Sequence, residues 1–244
     1  MIKPQRVTLF IQCIVDSCFP EVGEAMVKVL ERLGLALEYP PAQTCCGQPA
    51  FNAGYRQESA RLACHFLDVF ENAEVIVCPS GSCVNMVRHH YKELFAEDAR
   101  MLARVERVAA KTFEFTEFLV DQLGVTDVGA TWNGAVTYHD SCHLLRGLGV
   151  AAQPRALLDK VKGLTLVEMT RSDECCGFGG TFSAKYPEIS EALLETKLAN
   201  IQATGTGAVV GCDMGCLMHM QGMIRRRELP ISVHHIAEIL AREE

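Results

Sequence analysis

The stretch QTCCGQPAF, residues 43–51, places two adjacent cysteines directly before a glycine, and DECCGFGGTF, residues 173–182, does the same in the second half of the chain. Neighbouring cysteines rarely form a disulfide with each other, because the ring that they would close strains the peptide between them. Two such pairs therefore predict sites that use side-by-side thiolates, and their spacing indicates a duplicated chain.

The same order of strands and helices surrounds both pairs. In each half, a β-rich apolar run ends in a cysteine, a helix follows, and a short strand leads to the Cys-Cys-Gly loop. A second helix, a third strand and another cysteine loop come next. This alternation is typical of parallel βαβ units. We expect an α/β fold of two tandem, duplicated Rossmann-like domains, 1–124 and 125–244, with parallel sheets and cysteine loops at the carboxyl ends of the strands. A linker near residues 123–132 is expected from its Gly and Thr content.

The composition limits the function. The chain has 244 residues, twelve cysteines and a formal net charge of −7. A negative charge argues against a nucleic-acid partner, which needs a basic surface. There is no apolar run of membrane-spanning length, and the N-terminal residues do not match a signal peptide, so we expect a cytoplasmic protein. Structural disulfides are disfavoured in that compartment, and clustered cysteines there act as metal ligands or redox groups.

Ten of the twelve cysteines recur in both halves and are the predicted metal ligands. They are Cys13, Cys45, Cys46, Cys78, Cys83, Cys142, Cys175, Cys176, Cys212 and Cys216. Because ligands of open α/β sheets bind at the carboxyl ends of the strands, five thiols per half should gather there. Five thiols exceed the needs of a tetrahedral metal and suit an iron–sulfur cluster. Cys18 and Cys64 have no counterpart and are expected to pack as small hydrophobic residues.

Other residues beside the cysteines are candidates for tuning such a cluster. His139, Asp140 and His143 flank Cys142, and donors to cluster sulfur would raise its reduction potential. Ordinary hydrogen bonding within the loop is the alternative. Gly47 and Gly177, which follow the cysteine pairs, are expected to let the backbone pass close to a bulky cluster. The sequence predicts no catalytic residue.

These motifs resemble the cysteine-rich CCG domain. Two copies of that domain occur in one subunit of heterodisulfide reductase, and the domain is also found in iron–sulfur subunits of glycolate and glycerol-3-phosphate oxidation systems. The similar stretches are QTCCGQPAFNAGY, VCPSGSCVNMVRHHY, YHDSCHLLRGLG and ECCGFGGTF, and the likeness covers nearly the whole chain. The resemblance implies a first CCG domain at 1–124 and a second at 125–244.

The resemblance also implies electron transfer. Each repeat resembles a cradle for a [4Fe–4S]-type cluster, which is non-cubane in the heterodisulfide reductase subunit, so two clusters are expected. The motifs are most similar to family members that oxidise L-lactate to pyruvate with two companions, a ferredoxin-type iron–sulfur subunit and a third subunit. The expected function is an oxidoreductase subunit of a cytoplasmic lactate oxidation system that is inactive without its partners.

One part of the family pattern is different here. The family motif ends in C-x-x-C. This chain has wider pairs: Cys78 and Cys83 in the first half, Cys212 and Cys216 in the second. If the last cysteine of each pair matches the last family ligand, its partner position falls on Ser80 and Asp213. The ligand roles of Cys78 and Cys212 are then open.

Three alternatives fit the same residues. The chain could be an iron–sulfur subunit like that of heterodisulfide reductase or of glycolate oxidase. One half could bind zinc, since four thiolates suffice for a tetrahedral ion. The chain could also be a non-enzymatic binding protein that is stabilised by zinc or acts through thiol redox chemistry. Iron and sulfide analysis separates these alternatives.

Overall fold

The chain forms two compact units, residues 1–124 and 125–244, each with its own four-stranded parallel sheet. The computed structural model describes residues 4–243. The predicted α/β class with duplicated, Rossmann-like parallel sheets is confirmed. Within residues 4–243, none of the helices combines the length and the apolar character needed to cross a bilayer.

The first unit arranges its strands in the order β2-β1-β3-β4. The strands are β1 (Arg6–Leu9), β2 (Ala36–Glu38), β3 (Val75–Cys78) and β4 (Thr112–Glu114). The helices are α1 (Cys13–Cys18), α2 (Pro20–Arg32), α3 (Gln48–Asn52), α4 (Arg56–Phe70), α5 (Gly81–Asn85), α6 (Tyr91–Leu94), α7 (Ala99–Ala109) and α8 (Phe115–Glu117), with π-helical turns at Met86–His90 and Phe118–Gln122. β3 is buried along its whole length, which explains its unbroken apolar sequence VIVC.

The second unit repeats this order as β6-β5-β7-β8. Its strands are β5 (Thr131–His139), β6 (Lys162–Leu166), β7 (Ala208–Gly211) and β8 (Ser232–His235). The helices are α9 (Ala152–Leu158), α10 (Thr181–Lys185), α11 (Pro187–Ala203), α12 (Met214–Arg226) and α13 (Ile236–Leu240), with a π-helical turn at His143–Gly147. β7, with sequence AVVG, is buried like β3.

This strand order creates one crevice in each sheet. The chain moves from β1 outward to β2 and then returns to the other side of β1 to form β3. Strand order therefore reverses between β1 and β3, and likewise between β5 and β7. In open α/β sheets, ligands bind at the carboxyl ends of the strands at such a switch point.

The structure corrects the sequence-based elements in three places. Each sheet has a fourth strand, β4 or β8, that the sequence pattern did not predict. Residues 131 and 132, which the pattern assigns to the linker, already belong to β5. Cys13 and Cys142 lie beyond the strands rather than at their last residues, because β1 ends at Leu9 and β5 at His139.

Candidate metal centres

Four thiols of the first unit come together at its switch point. Cys13 begins α1 just after β1, the adjacent pair Cys45 and Cys46 lies in the loop after β2, and Cys83 lies in the first turn of α5 after β3. The Sγ atoms of Cys46 and Cys83 are 3.5 Å apart. Cys13 and Cys45 share a hydrogen bond. Three separate chain segments thus contribute to one cluster of thiols.

The thiols of this cluster control one another's ionisation. A hydrogen bond from Cys13, with a second from Cys46, holds the pKa of Cys45 well below its ordinary value. The same contact with Cys45 raises the pKa of Cys13, and contacts with Cys45 and Cys83 raise that of Cys46. Without a cation, neighbouring thiols cannot all ionise, since like charges repel at such distances. A bound metal would replace the shared protons, so this donor set fits a thiolate-ligated metal centre.

The second unit repeats the cluster with Cys142, Cys175, Cys176 and Cys216. A hydrogen bond from Cys142, with a second from Cys176, lowers the pKa of Cys175. The same contacts with Cys175 raise the pKa of Cys142 and that of Cys176. Cys142 and Cys175 are half-buried, whereas Cys176 and Cys216 are buried. Each unit therefore has an outer and an inner pair of thiols, because Cys13 and Cys45 are also half-buried and Cys46 and Cys83 are buried.

His139 joins the second cluster from the end of β5. Its ring nitrogen and the sulfurs of Cys176 and Cys216 all lie within 4.8 Å of one another. Both ring nitrogens are buried and lack a hydrogen-bond partner among the described residues. Burial, with a smaller effect of the Lys197 ammonium, lowers the pKa of His139 to about 4. The imidazole is therefore neutral at neutral pH.

Cys78 and Cys212 occupy different places in the two units. Cys78 is the last residue of β3 and pairs with Glu114 of β4. The matching pair in the second sheet is Gly211 with His235. Cys212 thus lies one position later than Cys78, and its Sγ is 3.2 Å from the hydroxyl oxygen of Tyr138. This one-residue offset matches the unequal spacing of the two cysteines to Cys83 and Cys216 in the sequence.

Helix caps fill the positions where the family motif has another cysteine. The Ser80 hydroxyl accepts a hydrogen bond from the Cys83 N–H at 3.3 Å. The Asp213 carboxylate accepts one from the Gly215 N–H at 3.1 Å. Each cap fixes the first turn of the helix that carries the last cysteine, Cys83 or Cys216. Both residues therefore orient the ligand-bearing turn.

Gly47 and Gly177 support the cysteine pairs through their backbones. Both have positive φ, 85° and 83°. Gly47 N–H points at Cys45 Sγ at 3.4 Å, and Gly177 N–H at Cys175 Sγ at 3.3 Å. A Cβ on Gly177 would lie 2.4 Å from the Ser190 carbonyl oxygen of α11. The missing side chain therefore makes room for a helix, a function that the sequence pattern did not reveal.

Asp140 and His143 differ in their relation to the cluster. Arg155 binds both carboxylate oxygens of Asp140 at 2.9 and 2.8 Å, and Ser172 donates at 2.8 Å. These bonds outweigh the effect of burial and lower the pKa of Asp140. The His143 ring nitrogen Nδ1 lies 3.8 Å from Cys142 Sγ. Asp140 thus braces the loop, while His143 contacts a thiol directly.

Several supports of the cysteine loops were not found from the sequence. Ser59 and Ser190 donate to the carbonyls of Gly47 and Gly177. Tyr91 donates to the Cys46 carbonyl at 2.9 Å. The two serines lie 12 and 13 residues after their glycines, and Tyr91 lies 45 residues after Cys46. Each is on the buried face of a helix that follows a cysteine loop, and that is the signal that could have found it.

The family model of the CCG cysteine-rich domain matches residues 7–88 and 136–221, so one copy falls in each unit. The chain belongs to the CCG cysteine-rich domain family. It is 48% identical over 235 residues to Lactate utilization protein A of Bacillus cytotoxicus, covering 96% of this chain and 98% of that protein. The Bacillus cereus (strain G9842) protein of the same name gives the same identity and coverage. The predicted resemblance to the CCG domain, and to its members that act in lactate utilisation, is confirmed.

A solved structure shares the fold of this CCG chain. It is a hypothetical protein from Helicobacter pylori with a TM-score of 0.65 and 12% sequence identity. The match covers 97% of the present chain and 48% of that protein, so the chain spans about half the length of its structural relative. At this identity the likeness concerns the fold alone.

Proposed function

We propose that this chain is the iron–sulfur electron-transfer subunit of a cytoplasmic system that oxidises L-lactate to pyruvate. The observation that carries the proposal is the repeated four-thiol cluster at the switch point of each sheet. The relatives named Lactate utilization protein A, at 48% identity over nearly the full length, support the choice of substrate. Family membership and the thiol clusters together support a redox function.

The proposed ligands are the eight gathered thiols. They are Cys13, Cys45, Cys46 and Cys83 in the first unit and Cys142, Cys175, Cys176 and Cys216 in the second. Cys78 and Cys212 lie outside the proposed set, because they occupy unequal positions. When bound, a [4Fe–4S]-type cluster, cubane or non-cubane, supplies reversible one-electron storage.

The residues of the chain prepare each site for that use. The N–H groups of Gly47 and Gly177 direct hydrogen bonds at thiol sulfur, and such bonds shift the potential of a thiolate-ligated cluster upward. The outer thiols, including Cys45 and Cys175, are half-buried, so each centre lies near the surface of its unit. Surface proximity allows electron exchange with a partner.

Lactate oxidation itself requires companions. Conversion of L-lactate to pyruvate releases two electrons and two protons, and the eight thiols provide no base or hydride acceptor for that step. We assign it to a third subunit, with electrons passing between this chain and a ferredoxin-type iron–sulfur subunit. The chain is therefore an oxidoreductase subunit that is inactive when purified alone.

Anaerobic purification followed by iron and acid-labile sulfide analysis tests the proposal. We expect a coloured protein with about four irons per unit and equal sulfide. A colourless chain that holds only zinc would overturn the cluster assignment. Deletion of the gene in its native host should abolish growth on L-lactate but not on pyruvate, and unimpaired growth on lactate would remove the substrate assignment.

A zinc site in the second unit is the second candidate. The cluster of His139, Cys176 and Cys216, completed by one outer thiol, has the Cys₃His composition of many structural zinc sites. Under this alternative, the chain would carry one zinc and the iron of the first unit only. The same metal analysis distinguishes the two outcomes.

A further inference from the structure

His139 is a buried histidine whose hydrogen-bonding groups are unused. Its side chain is 1% exposed, and neither Nδ1 nor Nε2 finds a partner among the described residues. Burial of an unpaired polar group costs about 1–3 kcal/mol. His219, which lies beside the same cysteine loop, is different: its Nδ1 donates to the Cys176 carbonyl at 3.1 Å, and its Nε2 lies 3.4 Å from Ser190 Oγ. Of these two rings, His139 alone keeps free donor and acceptor atoms inside the thiol cluster.

The position of the His139 ring suits direct coordination. Its nitrogen and the Sγ atoms of Cys176 and Cys216 lie within 4.8 Å of one another. Ligand atoms around a tetrahedral metal with bonds of about 2.0–2.3 Å are about 3.5–4 Å apart. A small contraction therefore brings all three onto one metal ion. Among residues 4–243, this is the single group of three such ligand atoms that the structure places so close together.

The first unit has no equivalent of this imidazole. Phe10 precedes Cys13 by three residues, as His139 precedes Cys142. Phe10 comes directly after β1, and His139 is the last residue of β5, so both lie at the switch point of their sheet. Phe10 is fully buried and its ring lies 4.9 Å from that of Phe66. An aromatic hydrocarbon ring thus fills this position without any polar group. Packing alone does not account for a histidine in the second unit.

A second substitution accompanies the first. Ser59 and Ser190 occupy corresponding positions, because each donates a hydrogen bond to the carbonyl of the glycine after the cysteine pair. Seven residues later, the first unit has Phe66 and the second has Lys197. The aromatic partner of the first unit is therefore replaced by a fully buried ammonium. Lys197 binds the carbonyls of residues 171 and 172, next to the Cys175–Cys176 pair. The second cluster is thus the more polar of the two.

We propose that His139 is a direct ligand of the metal centre in the second unit, which makes the two centres of this chain chemically unequal. The proposal rests on the metal-binding part of the proposed function. It replaces one half-buried outer thiol of the second unit by the His139 imidazole, and this replacement sets an order of potentials. A neutral imidazole in place of a thiolate makes a cluster easier to reduce. The buried Lys197 ammonium acts in the same direction, and the carboxylates of Asp140 and Asp213 oppose it, so the imidazole ligand sets the order. The second centre therefore has the higher reduction potential.

Cobalt(II) is a suitable probe for the ligand, because it takes the tetrahedral sulfur and nitrogen sites of zinc and is paramagnetic. The full chain, labelled with ¹⁵N-histidine and reduced, is loaded anaerobically with Co²⁺ alone, and strongly shifted imidazole N–H resonances are recorded. We expect one such resonance, which disappears in both His139→Asn and His139→Phe. It should persist in His219→Asn, the control at the neighbouring imidazole.

The matched variant in the first unit is Phe10→His. It places an imidazole at the corresponding position and should add a second shifted resonance to the spectrum. Circular dichroism of each variant checks that the fold is retained, and His139→Asn, which is close in size, remains informative if His139→Phe does not fold. A wild-type chain that binds Co²⁺ without a shifted histidine resonance, or a resonance that survives both His139 substitutions, would overturn the assignment.

Redox titration of the iron- and sulfide-loaded chain tests the order of potentials. We expect two different midpoint potentials in the wild-type chain. His139→Cys, which restores a thiolate at this position, should lower the higher potential and leave the lower one unchanged. Two equal potentials, or a shift of the lower one, would contradict the proposal. If the chain takes up Co²⁺ through His139 but no iron and sulfide, the iron–sulfur function fails while the ligand assignment stands. If it binds no metal, both fail.

Discussion

At the scale of single residues, Gly177 provides a test of the glycine that follows each cysteine pair. Ala at this position would combine a left-handed φ of 83° with a Cβ 2.4 Å from the Ser190 carbonyl oxygen. Gly205 also has a left-handed φ, 69°, but no atom lies near an added Cβ. Gly205→Ala therefore measures the cost of the backbone conformation alone. We expect Gly205→Ala to cost about 1 kcal/mol and Gly177→Ala distinctly more, because α11 must also move. Urea denaturation of both variants measures the difference, and equal losses would refute a steric function for Gly177.

Glu114 should make the stability of the first unit fall as pH rises. It is fully buried at the N-cap of α8, its Oε2 bonds the N–H groups of residues 116 and 117, and its Oε1 has no partner among the described residues. Burial raises its pKa to about 8 from the ordinary value of 4.5. Because the folded pKa is the higher one, the stabilising contribution is complete below pH 4.5 and is lost as pH rises toward and through 8.

Glu114→Gln keeps the capping oxygen but cannot ionise. Relative to this variant, the wild-type chain should lose up to about 1.4 kcal/mol per pH unit across that window. Urea melts at pH 5.5, 7.0 and 8.5 under reducing conditions measure the difference, with the exposed Glu21→Gln as control. Parallel stability curves for the wild-type chain and Glu114→Gln would contradict the prediction.

At the scale of elements, Lys197 links helix α11 to the loop that carries the second cysteine pair. Its ammonium donates to the carbonyls of Arg171 and Ser172 at 3.1 and 3.0 Å. Lys197→Met retains the length of the side chain and leaves two carbonyls unpaired, so we expect a loss of about 1–3 kcal/mol and faster release of metal from the second unit. Metal release to a chelator, followed for each unit, measures this effect.

Lys111→Met is the matched control for that experiment. Lys111 also donates to two carbonyls, those of Glu71 and Ala73, but it belongs to the first unit and its partners precede β3. It should lower stability without faster metal release from either unit. Equal release rates for Lys197→Met and the wild-type chain would show that α11 does not hold the cysteine loop.

The elements also show how far the sequence could predict the structure. Helix α4 lies at Arg56–Phe70, between the cysteine-pair loop and β3, where the repeated order of elements predicts the second helix of the first unit. Strands β4 and β8 were missed because each continues directly into a helix, α8 at Phe115 and α13 at Ile236, so no turn residue separates the strand from the helix. The single-residue offset between Cys78 and Cys212 is visible in their unequal spacing to Cys83 and Cys216, and the pairing of the strands agrees with it.

At the scale of the molecule, the cysteine pattern was sufficient to predict two similar sites, whereas their difference was not predictable. The Cys-Cys-Gly loops are local sequence features, and their convergence follows from the βαβ order. The contrast between His139 and Phe10 becomes meaningful only once burial, missing hydrogen-bond partners and distance to the thiols are known. Duplication thus preserved the thiol donors while the residues around them diverged.

Two self-contained sheets, each with its own cysteines, predict that metal loss stays confined to one unit. Cys46→Ser should remove the metal of the first unit, and Cys176→Ser that of the second, because each removes a buried inner thiol. Each variant should keep about half of the iron and sulfide, and the two should retain different spectra if the centres are unequal. Cys18→Ser, at an exposed cysteine outside both clusters, should keep all of it. Complete loss of iron from either single variant would indicate one shared centre, since independent clusters cannot empty together.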